Sequence, residues 1–283
     1  HRGGIPHPWP VPPSPTVIGF EAAGVVEALG DGVTGFAPGD RVAYGTPPLG
    51  SYAERRVYPA ERLLHLPEGL ADETVAAVLM KGMTAQYLLH RTYAVQPGDV
   101  VLVHAAAGGM GLILCAWARA LGAVVVGTVS TAAKAERARA AGCHHPVIRS
   151  EEDFAAKTRE VSDGEGAAVV YEAIGKETLQ RSLDSLRPMG VCAAYGHVSG
   201  PPDPVDVIED LGARGSLFIT RPAIMHYVAK RRDLEATAAS LFQAIADGIV
   251  TPDVSTRLPL SEAAEAHRLI ESGTTTGAIV LVP

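Results

Sequence analysis

Three glycines behind an apolar run are the residues best placed to do chemistry in this chain. Val100-Val101-Leu102-Val103-His104-Ala105-Ala106-Ala107 leads into Gly108-Gly109-Met110-Gly111. Leu112 to Gly122 then reads as a helix stopped by glycine. A strand, a small-residue turn and a helix start make an anion site, because backbone N–H groups and the positive end of the helix dipole converge there. Glycine lets a pyrophosphate approach the backbone closely. The pattern is Ala-x-x-Gly-Gly-x-Gly, short of a full Gly-x-Gly-x-x-Gly, so the flanking strand and helix carry the assignment.

The next strand selects the nucleotide. Folds that bind NAD place Asp or Glu at its end to hold the ribose 2′-OH. Here Ala123 to Thr128 is followed by Val129-Ser130-Thr131-Ala132-Ala133-Lys134, and no carboxylate comes before Glu136. A carboxylate would repel a 2′-phosphate, whereas hydroxyls and an ammonium would bind it. The following strand ends in Ile148-Arg149-Ser150, at the edge that borders the adenosine. Ser130, Lys134 and Arg149 are therefore candidate phosphate ligands, Thr131 between them is a further candidate for cofactor binding, and NADPH is the expected cofactor. The alternative reading makes Lys134 and Arg149 ordinary surface charges.

Other chemistry is thinly represented. Cys115, Cys143 and Cys192 are scattered without a Cys-x-x-Cys pair, which leaves no disulfide framework and no four-cysteine zinc lobe. Two of the three lie in apolar runs and read as buried core thiols. His144-His145 follow the helix end at Gly142 and read as a cation at a helix C-terminus rather than as a metal site. No Ser-Tyr-Lys constellation is recognisable. Hydride chemistry needs none of these, since a cofactor supplies it and the protein positions it.

The elements that must position these residues follow from periodicity. Between residues 16 and 66 short apolar clusters alternate with Gly, Pro and Asp, as in Val25–Leu29, Arg41–Tyr44 and Ser51–Tyr58, and predict strands. Asp72-Glu73 open a helix, and Met83 to Thr92 predicts a second. Strands at 99–104, 123–128, 146–148, 167–172, 189–195 and 215–220 then alternate with helices at 109–121, 131–141, 151–161, 176–186 and 231–247. That alternation predicts an α/β fold, a doubly wound parallel sheet with helices on both faces. Ala278 to Val282 predicts a last strand that returns to the β-rich part. The chain has 283 residues, 47% of them hydrophobic, and a net charge of −7, which argues against nucleic acid or an anionic membrane as partner. With no run of transmembrane length and no visible signal peptide, a cytoplasmic protein is expected.

Gly19-Phe20-Glu21-Ala22-Ala23-Gly24-Val25-Val26, Gly30 and Pro38-Gly39-Asp40-Arg41-Val42 resemble the signature of the medium-chain dehydrogenases/reductases. Lys81 to Leu89, the Ala105–Gly111 turn and Ser216-Leu217-Phe218-Ile219-Thr220-Arg221-Pro222 narrow the resemblance to quinone oxidoreductases of the zeta-crystallin type. The resemblance runs from Arg2 to Pro283. It implies a GroES-like substrate domain at 1–81 and 256–283, a Rossmann domain at 82–255, and NADPH in the cleft. It also implies a preceding segment that supplies the first GroES-like strands, with an asparagine and a tyrosine at the nicotinamide. The GroES-like domain is accordingly expected to be N-terminally incomplete. Zinc-dependent relatives carry histidine where Phe20 stands, and phenylalanine cannot bind Zn²⁺. No metal is expected, and Glu21 is expected to be structural.

Carried over residue by residue, the resemblance puts Gly108, Gly109, Met110 and Gly111 on the pyrophosphate. Ser130, Lys134 and Arg149 meet the adenosine phosphate; many relatives have tyrosine where Arg149 stands. Ile174 covers the adenine side. Gly196, His197, Val198 and Ser199 follow the fifth strand of the sheet. Phe218, Ile219 and Thr220 meet the carboxamide through backbone groups, and Thr84 lies near the nicotinamide ribose. Gly273 replaces an arginine contact of some relatives. Tyr44 and Arg221 are candidates for the substrate cleft, with packing or an ion pair as the alternative for each. The activity expected is reduction of a quinone by NADPH. The rivals are an NADPH-dependent reductase of α,β-unsaturated carbonyls and an NADPH-binding protein with little turnover. A homodimer is expected, joined partly through the edge strand Ser216–Thr220.

Overall fold

The computed structural model describes residues 16–272 and 275–283. Gly273 therefore lies outside the described residues. The chain divides into two compact units. One takes in the chain up to Met83, then Val228–Ile245 and Thr251–Pro283; the other comprises Thr84–Tyr227 and Ala246–Val250.

The first unit contains a three-stranded antiparallel sheet of β1 (Ala22–Val25), β2 (Arg41–Tyr44) and β3 (Leu64–His65). Ser51–Tyr58, expected as a strand, forms none. The segment instead folds around the Arg56 guanidinium, which donates to the carbonyls of Pro48 (3.2 Å) and Leu49 (3.1 Å) and to the Tyr44 hydroxyl (3.2 Å). The two helices expected across 72–92 are one. α1 (Asp72–Tyr87) runs straight into a π-helical turn at Leu88–Thr92.

The second unit carries the six-stranded sheet. In chain order it contains β4 (Val100–Val103), α2 (Gly109–Ala120), β5 (Val124–Val129), α3 (Ala132–Ala140), β6 (His145–Ile148), α4 (Phe154–Val161), β7 (Ala167–Glu172), α5 (Leu179–Asp184), β8 (Leu186–Ala194), β9 (Phe218–Thr220) and the short α6 (Ile224–Tyr227). The strand order is β6-β5-β4-β7-β8-β9 and every pairing is parallel. This is the doubly wound sheet expected from the alternation. β4 pairs with β5 on one side and β7 on the other, so the order reverses beside β4, where open α/β sheets bind ligands. Register sets Leu102 opposite Val126 and Val170. These side chains, with Val147, Cys192, Leu179 and Leu183, form the buried core. Strands covered on both faces need the continuous apolar runs seen in the sequence. Asp153 caps α4 through Oδ1, which accepts from the N–H of Ala155 at 2.9 Å and so delays the helix to Phe154.

The chain then continues through α7 (Arg231–Ala246), β10 (Val254–Pro259), α8 (Ala263–Ser272) and β11 (Ala278–Val282), with β11 parallel to β10. Most of α7, expected inside the nucleotide-binding domain, groups with the first unit. Leu241 packs where a Cβ on Gly82 would stand, and the Arg231 guanidinium donates to the carbonyls of Ala60 and Leu63.

Candidate functional site

The glycine turn is built by close approach. A Cβ on Gly111 would collide with the Ala105 carbonyl and the Ala106 backbone, so only glycine lets α2 leave β4 this tightly. Ala105 opens the turn in the left-handed region, with φ of 51°. Its carbonyl accepts from the N–H of Gly108 at 2.8 Å. Gly108 is the N-cap of α2 and no side chain caps the helix. The N–H groups of Gly109, Met110 and Gly111 open the helix without a partner inside it, and with Gly108, whose own N–H is spent on Ala105, these residues form a cradle that suits a pyrophosphate.

The candidate 2′-phosphate group assembles at the carboxyl end of β5. The Lys134 ammonium donates to the Ser130 hydroxyl at 3.2 Å, and Thr131 caps α3 by accepting the Lys134 N–H at 3.3 Å. All three residues are exposed. Arg149 is tied to the same strand end, where its N–H donates to the Val129 carbonyl at 3.1 Å. Its guanidinium turns to Glu177, 3.6 Å away. These donors, with no carboxylate on the Ser130–Lys134 loop, fit the phosphate of NADPH.

Two loops on the other side of the reversal are laced together. The Val198 N–H donates to the Ala173 carbonyl at 3.3 Å, and the Ser199 N–H and hydroxyl reach the Ile174 carbonyl at 2.8 Å and 2.7 Å. A Cβ on Gly196 would press on the Ala173 backbone, and one on Gly175 would press on Gly200 and His197. Ile174, Gly196, His197, Val198 and Ser199 therefore do come together. Beside them a pocket of about 230 Å³ is lined by Glu172, Gly196, His197 and Arg221, among others. Arg221 donates to the Ala194 carbonyl at 3.0 Å and lies 3.2 Å from His197 Nδ1; it pairs with no carboxylate among the described residues. Phe218, Ile219 and Thr220 form β9 in register with Val191, Cys192 and Ala193. Thr84 lies half-buried on α1, where its hydroxyl bonds that of Tyr87.

Tyr44 takes no open position in its unit. Its buried ring stacks on Tyr58 with centroids 4.0 Å apart, and Arg56 lies 4.9 Å from its centre. Glu21 is structural in the same unit, accepting the Met80 N–H at 2.9 Å, and burial pushes its carboxyl pKa up. His144 is not a helix-end cation. Burial and the neighbouring Arg119 lower its pKa, and Nδ1 accepts the Val125 N–H at 3.0 Å, which requires the neutral ring. Among the described residues no group of three or more His, Cys, Asp or Glu is arranged to hold a metal.

The sequence reading missed a fully buried polar network. His104, Thr128, Ser182 and Glu172 are all without exposure. Glu172 Oε1 accepts from the N–H of Ile174 (2.6 Å) and of Gly175 (3.0 Å) and from the Thr178 hydroxyl (2.9 Å). Oε2 accepts from the Ser182 hydroxyl. Burial alone would raise this carboxyl's pKa, but His104, Ser182 and the two N–H groups outweigh it, so it stays an anion. Burial holds the His104 imidazole below its ordinary pKa despite Glu172. One signal for the network was available, a histidine and a glutamate each closing an otherwise apolar strand run.

A doubly wound sheet with a glycine turn at its reversal, joined in one chain to a second unit that holds the β1–β3 sheet, is the architecture of a nucleotide-dependent oxidoreductase of two-unit design. Residues 2–68 match the family model described as an alcohol dehydrogenase GroES-like domain, and residues 109–242 match the one described as zinc-binding dehydrogenase. A 2-haloacrylate reductase from Burkholderia sp. is 55% identical over 100% of this chain and 86% of its own length. The crystal structure of a 2-haloacrylate reductase superposes with a TM-score of 0.92, at 55% identity over 95% of this chain and 84% of that one. A quinone oxidoreductase from Pseudomonas aeruginosa is 44% identical over 100% of this chain and 86% of its own. The Escherichia coli quinone oxidoreductase crystallised with NADPH gives a TM-score of 0.91 at 40% identity, over 97% of this chain and 85% of that one. The chain belongs to the quinone oxidoreductase family of the medium-chain dehydrogenases/reductases.

Proposed function

We propose that this oxidoreductase uses NADPH to reduce a conjugated carbonyl acceptor, a quinone in the first reading. The carrying observation is the Ser130–Lys134 pair on a loop without a carboxylate, one strand over from the Gly108–Gly111 cradle. When bound, the nicotinamide supplies a hydride. The chain's own residues bind and orient. Backbone N–H groups of the turn take the pyrophosphate, while Ser130, Thr131 and Lys134 take the 2′-phosphate. Arg149 joins them by exchanging Glu177 for the phosphate. Ile174 and the Gly196–Ser199 loop cover the face beyond β4, and the β9 backbone meets the carboxamide. A quinone asks little more, because its reduced oxygen takes a proton from water.

A second reading rests on Arg221. A guanidinium without a carboxylate partner, beside His197 at a pocket, suits an acceptor that is itself a carboxylate, such as the 2-haloacrylate in the relative's name. Side-by-side NADPH oxidation with 1,4-benzoquinone, 9,10-phenanthrenequinone and 2-chloroacrylate separates the two. The first reading expects quinone turnover that survives Arg221→Ala. Turnover of the acrylate alone, lost in Arg221→Ala, replaces it with the second. Tight NADPH binding without consumption for any acceptor overturns both.

A further inference from the structure

We propose that Thr128, His104 and Ser182 form a one-way hydrogen-bond chain, anchored on the Glu172 carboxylate, that positions the Ala105–Gly111 turn for the cofactor. The proposal rests on the reading of that turn as the pyrophosphate cradle. The Ser182 hydroxyl has one proton and two acceptors in reach, the Glu172 carboxylate at 2.5 Å and the Thr178 carbonyl at 2.9 Å; given to the nearer, charged one, it sets the direction of the other bonds. A carboxylate only accepts, so the 2.5 Å contact between Ser182 Oγ and Glu172 Oε2 uses the Ser182 proton. Ser182 Oγ then accepts from His104 Nε2–H, 2.8 Å away. The neutral imidazole is left with a bare Nδ1, which accepts from the Thr128 hydroxyl at 2.9 Å. The Thr128 oxygen keeps its lone pairs for the Ala105 N–H, 3.4 Å away.

The chain thus starts at the residue whose left-handed backbone opens the turn and ends at the anion that shapes the next loop. It crosses the three strands β5, β4 and β7 at their carboxyl ends. That is the place where the sheet order reverses. Aligned donors polarise one another and make such a chain stiffer than its separate bonds. Thr128 also holds the turn through its backbone, since its carbonyl accepts the Ala106 N–H at 2.9 Å. The side chain adds a second grip one residue earlier, on Ala105. His104, Thr128, Ser182 and Glu172 are positioning residues, acting on the cofactor through the backbone they hold.

Thr128 permits a test that separates this role from packing. Thr128→Val keeps the shape and removes the hydroxyl, whereas Thr128→Ser keeps the hydroxyl and removes a methyl. The probes are NADPH and adenosine 2′-monophosphate, which has no 5′-phosphate to meet the turn, each titrated by fluorescence or calorimetry well below the melting temperature. Loss of the buried chain predicts NADPH binding about five- to tenfold weaker in Thr128→Val, with Thr128→Ser within about twofold of wild type. Adenosine 2′-monophosphate binds both variants as it binds wild type. A packing role inverts the order, because serine leaves a cavity that valine fills; that inversion, or Thr128→Val equal to wild type, overturns the proposal. If Thr128→Val does not fold, Ser182→Ala cuts the chain at its other end and reads the same way. A wild-type protein that binds adenosine 2′-monophosphate but gains nothing from the rest of NADPH would refute the reading of the turn instead.

Discussion

Lys134 and Ser130 touch each other at an exposed loop, and neither is neutralised by an acid on that loop. An ammonium held over a hydroxyl is a ready site for a phosphate, and a charge-assisted bond to it contributes about 1.5–3 kcal/mol. Lys134→Ala should therefore raise the NADPH Michaelis constant about tenfold or more. NADH use should hardly change, because NADH has no phosphate to lose. Steady-state kinetics with both cofactors checks this, and equal losses would remove Lys134 from the phosphate site. Arg149 differs, since it already faces Glu177 3.6 Å away. Sequence could place Arg149 at the right strand end but could not show where its long side chain turns.

At the scale of elements, the sheet was legible because its strands are buried on both faces and so spell themselves as apolar runs. The Gly108–Gly111 turn was legible because close backbone approach demands glycine at Gly111. What escaped was long-range. Ser51–Tyr58 alternates like a strand, yet Arg56 reaches back to the carbonyls of Pro48 and Leu49 instead. The α1 helix continues through Met83, with no proline or cap to stop it. The His104 network escaped because its members lie far apart in sequence and meet only across strand ends. That network sets an acid limit on the fold. His104 has a lowered pKa when folded, so the unfolded chain binds a proton first as pH falls below about 6.5. Glu172 is also lowered, so its contribution is full above the ordinary carboxylate range and is lost as pH falls through its folded value. Both act in the same direction, His104 first. Thermal melts from pH 8 to 5 should show a falling melting temperature, and His104→Gln should flatten the upper part of that fall. An unchanged slope in the variant would mean that the buried ring is not held neutral.

For the whole molecule, β9 is one of the two edge strands of the six-stranded sheet. β9 pairs with β8 on one side, and among the described residues no strand covers its other side. Phe218 is 60% exposed there. The turn Val207–Gly212 is tied to the start of this edge, where the Leu217 N–H donates to the Leu211 carbonyl at 3.0 Å, and Val207 and Ile208 on it are exposed as well. An unpaired edge flanked by apolar side chains invites another strand. A second copy offers the same strand with the same flanking residues, and a two-fold axis brings like to like in one closed contact. We propose a homodimer through β9 on this ground. Light scattering should give about twice the 29.5 kDa chain mass, or four times if dimers pair. Phe218→Pro removes a backbone donor and breaks the ladder, so it should yield monomers with impaired cofactor use, since the same strand is assigned to the carboxamide. Phe218→Lys keeps the backbone donors and charges the edge, and should yield monomers that still bind NADPH. A wild-type monomer at micromolar concentration would refute the pairing, as would a Phe218→Lys dimer as tight as the wild type.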